Sequence, residues 1–116
     1  MMIALVTSLM PQKPFYRSDE ELHHIVAQKS KKEKISQDIL ADLDIKINSD
    51  ENTVWLKTGV HRRLHTNAYY LYVDFMIISA YLSASPGDKE QQKTNVKQAL
   101  ETIKKQLKGI NNNSPF

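Results

Sequence analysis

Val96, Leu100, Ile103 and Leu107 recur at intervals of three and four residues. That spacing lines them along one side of an α-helix, and such a stripe must be covered by another apolar layer. The helix is read as starting at Ser85-Pro86, an N-cap followed by proline at the first helical position, and ending at Gly109, so about 86–109. The tail NNNSPF after it is expected to fray. A second helical stripe starts at His61 and runs through Ala68, Leu71, Tyr72, Phe75, Ile78 and Leu82. The β-favouring run AYYLYV argues for a strand there, but the stripe is too long for one. Ser30 and Glu33 have capping-box spacing, and Ile35, Ile39, Leu40 and Leu43 follow at helical intervals. They predict a third helix over 31–43.

Between these helices the period falls to two. Ile45 and Ile47 alternate with Lys46 and Asn48 as in a strand, Ser49 to Asn52 is turn chemistry, and TVWLK at 53–57 is a second strand. Trp55, inside that second strand, is read as core. Ser18 and Glu21 repeat the capping-box spacing and would open a helix through Ala27; alternatively, Leu22 to Val26 form a short strand. Periodicity cannot decide over so few residues. The apolar start MMIALVTSLM has no positive n-region and no cleavage site, and is too short to span a bilayer. It is read as a strand or as the cut edge of a longer polypeptide, broken by PQKP at 11–14. Helices mixed with short strands make an α+β chain. Its 116 residues suffice for a single domain, 1–116, with one core.

Composition removes several chemistries. The chain has no cysteine, so disulfides, thiol catalysis and cysteine-based zinc sites are excluded, and any metal must be held by nitrogen and oxygen. A net charge of +3 is compatible with a polyanionic partner without demonstrating one.

All four histidines fall into two pairs: His23-His24, adjacent, and His61 and His65, four apart in VHRRLHT. Residues four apart on a helix share a face and can hold one ion together. Neighbours on a strand point to opposite faces, so one member of the adjacent pair can face that ion while the other stands beside it. Three imidazoles leave coordination positions open, as catalytic sites do. A fourth histidine with a near-neutral pKa suits a general base.

LHHIVAQ, the 31–43 helix, INSDENTVWL and VHRRLHTNAYY, from about Glu21 to Tyr70, together resemble the AHH nucleases of the HNH/endonuclease VII group. Leu22 stands where that family usually has alanine, and Ala27 where a proline often follows. The resemblance implies a ββα-metal core at about 20–82 with flanking helices. It also implies that His23, His61 and His65 are metal ligands, that His24 is the base activating water, and that Asn52 orients the base or braces its loop. The reaction would be hydrolysis of DNA phosphodiesters, with RNA left open. It would use one divalent ion (zinc, nickel or magnesium), of which nitrogen donors favour the transition metals. Arg62 and Arg63 flank the ligands, Lys57 precedes them, and Lys29 leads a basic cluster with Lys31, Lys32 and Lys34. These are candidate phosphate contacts. Such nucleases are commonly toxin domains of bacterial polymorphic toxins. That context implies a delivered effector acting in the target-cell cytoplasm, with no signal peptide in this chain and no membrane partner. It also implies a cognate immunity protein, expected to be acidic. Two alternatives stay open: a zinc-stabilised domain that binds nucleic acid without cutting it, and a helical interaction module whose histidines carry no chemistry.

Overall fold

The structure, a computed structural model, describes residues 19–114. The expectations for MMIALVTSLM, PQKP and Ser18 lie outside these residues. Strand β1 (Glu20–His24) pairs antiparallel with β2 (Thr53–Lys57), in register from Glu20 opposite Lys57 to His24 opposite Thr53. This decides for strand in the stretch where helix and strand were both open. The segment joining the strands carries a 3-10 turn (Lys31–Glu33), helix α1 (Lys34–Asp42) and a second 3-10 turn (Asp50–Asn52). After β2 come α2 (Thr58–Arg63), α3 (Asn67–Leu82) and α4 (Lys89–Asn113). Two strands followed by a helix, with further helices around them, form an α+β fold compatible with the ββα-metal core of the HNH group.

The expected strand at Ile45 and Ile47 does not form. Asp44 adopts a left-handed conformation (φ 55°) and ends α1. The Asp44 amide then donates to the Ala41 carbonyl at 3.1 Å, and the Ile45 amide to that of Leu40 at 2.9 Å. This is a regular helix stop, in which an apolar residue just past the end packs back on the last turn. Ile45 and Leu40 are both buried. The Ser30–Glu33 capping box forms only in part. Ser30 accepts from the Lys32 amide, but Glu33 turns inward and accepts from the Ala27 amide at 2.8 Å. Ile35, counted in the α1 stripe, is exposed.

Helix α4 shifts at both ends from the expected 86–109. Its N-cap is Asp88, which accepts from the Gln91 amide, and Ser85–Gly87 form a turn closed by Gly87 at φ 83°. It also runs through Gly109 to Asn113, because buried Asn111 is held by tertiary contacts: its Oδ1 accepts from the Lys57 amide at 2.7 Å. The expected stripe is correct. Val96, Leu100, Ile103 and Leu107 are all buried, each contributing on the order of 1.5–3 kcal/mol through area removed from water. They pack across α3 and β2.

Helix α3 exists as expected but shows the opposite face. Val73 and Ile77 enter the core, whereas Leu71, Phe75 and Leu82 of the expected stripe are exposed. Trp55 is half-buried rather than core; it lies opposite Leu22, while Val54 and Leu56 on the other side of β2 are buried.

Candidate active site

His23 and His24 occupy the last two positions of β1, so the pleat sends them to opposite sides. His23 is fully buried, and His24 is half-exposed. His61 lies in α2. His65 does not share that helix: α2 stops at Arg63, and His65 sits in the break before Thr66, which caps α3 by accepting from the Tyr69 amide. The expected single helix is therefore interrupted, yet the two rings still meet, with Nε2 atoms 3.1 Å apart. Ring centroids lie 5.1 Å apart for His23 and His61, 6.0 Å for His23 and His65, and 4.9 Å for His61 and His65. One nitrogen from each ring falls within 4.8 Å of the other two.

Hydrogen bonds on the far side of the rings decide which nitrogens face inward. Tyr69 Oη donates to the Ile25 carbonyl at 3.2 Å, which uses its one proton, so His23 Nε2–H must donate to Tyr69 Oη at 2.7 Å. His23 Nδ1 is left with a bare lone pair, buried and without a partner. Glu21 accepts from His61 Nδ1–H at 2.9 Å, which leaves His61 Nε2 bare as well. His65 Nδ1 meets Tyr70 Oη at 3.0 Å, leaving its Nε2 toward the other two rings. Carboxylate and hydroxyl groups behind metal-binding imidazoles commonly fix the tautomer in this way. The donor set fits a divalent transition ion, with no competing proton on two of the three inward nitrogens.

The electrostatics agree. Burial, followed by the neighbouring charges of His61, His65 and His24, pushes the His23 pKa down to about 3. Burial, then His61, lowers that of His65, against an opposing pull from Glu21. The hydrogen bond from His61 is the largest cause holding the Glu21 carboxyl below its usual range, helped by Arg62, whose Nη2 stands 3.4 Å away. Burial drives the Tyr69 hydroxyl far above its ordinary value, so it stays neutral.

His24 Nε2 meets Asn48 Oδ1 at 2.7 Å. Asn52 is elsewhere: fully buried, it accepts from the Val26 amide and donates to the carbonyls of Val26 and Ile47. It braces the loop after β1, one of the two tasks expected of it, and Asn48 orients the ring. His24, His61 and His65 open on one cleft of about 420 Å³, lined also by Leu22, Lys29 and Tyr70. Lys29, Arg62 and Arg63 are exposed, and Arg63 Nε donates to the Gly59 carbonyl. Lys57 lies at the opposite end of the hairpin, its ammonium donating to the Ser114 carbonyl at 2.9 Å.

Glu21, Tyr69 and Tyr70 were missed as contacts of the histidines, and the match with NTVWL favoured Asn52 over Asn48. A signal existed for the first: Glu21 and His23 are two apart on a strand and so share a face. For the tyrosines, nothing in AYY separates a ring that packs from one that also holds an imidazole.

No curated protein and no solved structure matched the chain in comparison. A family model does, over residues 7–107: AHH, a nuclease family of the HNH/ENDO VII superfamily with conserved AHH. The sequence has one adjacent His pair, His23-His24, and it lies within the matched region. With the matched region spanning most of its length, and the two histidine pairs brought together in space, the chain belongs to the AHH nuclease family of the HNH/ENDO VII superfamily.

Proposed function

We propose that this nuclease is a metal-dependent endonuclease that hydrolyses DNA phosphodiesters and acts as the toxic domain of a bacterial polymorphic toxin. The observation that carries the metal requirement is the inward convergence of three imidazole nitrogens, two with their tautomer set from behind. His23 Nδ1, His61 Nε2 and His65 Nε2 would hold the ion. When bound, a divalent ion supplies Lewis acidity toward the scissile phosphate and its leaving oxygen. The remaining work belongs to the chain. His24 takes the proton from the attacking water through the nitrogen that Asn48 leaves free, and Asn48 fixes the ring in the wall of the cleft. General-base help of this kind is worth about 10²–10⁴-fold. Asn52 keeps the loop after β1 in place, and Lys29, with Arg62 and Arg63, attracts the flanking phosphates.

Purified protein incubated with supercoiled plasmid tests the reading. Nicking should require zinc, nickel or magnesium and stop with a chelator; no nicking with any of these ions overturns it. The toxin role implies delivery to a target-cell cytoplasm and an acidic immunity protein covering the Lys29–Arg62–Arg63 side, since complementary charge speeds and orients association. Among the described residues no helix is long and apolar enough to cross a membrane. Expression in bacteria without the neighbouring gene should be lethal, and His24→Ala should relieve the lethality. Harmless accumulation of intact wild-type protein overturns the toxin role and leaves the nuclease untouched.

A further inference from the structure

Beside the histidine cleft lies a second recess of about 360 Å³, lined by Lys32, Asn67, Tyr70 and Leu71. Tyr70 lines both, so one side chain borders the two recesses. Asn67, Tyr70 and Leu71 stand at positions i, i+3 and i+4 in the first turns of α3 and present one face. That face is apolar and open: Leu71 is 70% exposed, and Phe75, one turn further, 67%. Its polar edge is specific. Lys32 Nζ donates to Asn67 Oδ1, a bond that leaves the two N–H donors of the amide Nδ2 unused. Lys29, exposed, lines the neighbouring histidine cleft.

An aromatic and aliphatic platform edged by amide donors and interleaved with lysines is the surface that single strands use, with bases on the apolar groups and phosphates along the charges. In a duplex the bases are stacked away from the backbone, and one must leave the stack to reach a recess beside the scissile phosphate. We propose that this recess is a base-binding subsite that takes one unpaired nucleobase next to the cleavage point, so that the enzyme prefers an unpaired strand over a duplex. The base lies against Tyr70 and Leu71, and Asn67 Nδ2 donates to its edge. The proposal rests on the nuclease reading for the position of the scissile phosphate. It adds a substrate preference which that reading does not contain.

The test uses Leu71→Ser and Asn67→Ala, because neither residue touches a histidine, whereas Tyr70 holds His65. Binding of a fluorescent eight-nucleotide DNA strand and of the matching duplex is measured by anisotropy on a His24→Ala background. Cleavage kinetics are measured on the otherwise wild-type chain. Leu71→Ser should weaken single-strand binding about tenfold, within the range of one lost stacking contact, and leave the duplex within about twofold. Asn67→Ala should do the same more weakly, and KM should rise on the single strand with kcat unchanged. Equal weakening of both forms, or of neither, overturns the subsite. If the strand-selective loss appears while wild-type protein cleaves nothing, the subsite stands and the nuclease reading is what fails.

Discussion

Four buried side-chain polar atoms among the described residues lack a hydrogen-bond partner, and two of them, on His23 and Glu33, sit in opposite surroundings. His23, at the end of β1, has an unpartnered Nδ1 on a ring that lies against those of His61 and His65. Glu33 Oε2, between the loop after β1 and α3, faces Asp74, a like charge. Burial, with Asp74 adding to it and the Ala27 amide opposing, raises Glu33 to about 7. Burial and its neighbours push His23 down to about 3. Each group thus loses its charge, but with opposite results. Glu33 solves its isolation by taking up a proton. His23 gives up its proton at Nδ1, and the lone pair that remains points where two others point. Of these two orphaned atoms, the one on which further donors converge is a candidate site, and the other titrates.

The largest effect that would sharpen this contrast is on activity. His24→Ala should reduce cleavage by about 10²–10⁴-fold while metal content, measured by elemental analysis, stays at the wild-type level. His65→Ala should empty the site as well as stop the reaction. Equal metal loss in both variants would mean that His24 belongs to the cluster, and the proposed division of roles would fail.

Next comes pH dependence of stability in metal-free protein. Glu33 has a folded pKa above its ordinary 4.5, so the fold binds the extra proton and loses stability as pH rises from 4.5 toward 7. The full loss is of the order of 3 kcal/mol. His23, with its pKa depressed from 6.5, works the other way: stability is lost as pH falls below 6.5 toward 3. Glu33→Gln keeps an acceptor for the Ala27 amide and should abolish the first slope alone. Denaturant melts at pH 5 and pH 7.5 read it, and identical slopes in both proteins would remove the contrast.

A smaller change follows from the group behind His23. Tyr69→Phe removes the acceptor for Nε2–H, freeing the imidazole to place its proton at Nδ1. Metal affinity should fall about 10–100-fold with little change in the circular dichroism spectrum. Unchanged affinity by competition titration would show that the tautomer is held by something else.

The smallest effect separates the two asparagines. Asn48→Ala should lower kcat about tenfold without altering DNA affinity, since it frees the His24 ring. Asn52→Ala should instead lower stability, because three backbone groups lose their partner. If Asn48→Ala melts the protein and Asn52→Ala affects only turnover, the two assignments are exchanged.

Much of this was legible before any coordinates. The α4 stripe was unambiguous because polar residues occupy the rest of that helix, so only one face can be buried. In α3 the same reasoning chose the wrong face. Apolar residues surround that helix, from Tyr69 to Leu82, and the period alone gives Leu71 and Phe75 no less claim on the core than Val73 and Ile77. The strand expected at Ile45 and Ile47 failed for a related reason: two alternating residues also satisfy a helix stop, and Asp44 in a left-handed conformation supplies one.

The sequence by itself determined which histidines exist and their pairing, and that any metal would be held by nitrogen and oxygen, since no thiol is present. It also carried the family. Only the tertiary structure decided that His61 and His65 meet across a broken helix, that Tyr69 and Glu21 set the tautomers, and that Asn48, not Asn52, touches His24. The physical reason is separation along the chain. His23 meets Tyr69 across 46 positions and His61 meets Glu21 across 40. Local spacing constrains which side of an element a residue takes, but not which distant side chain stands there.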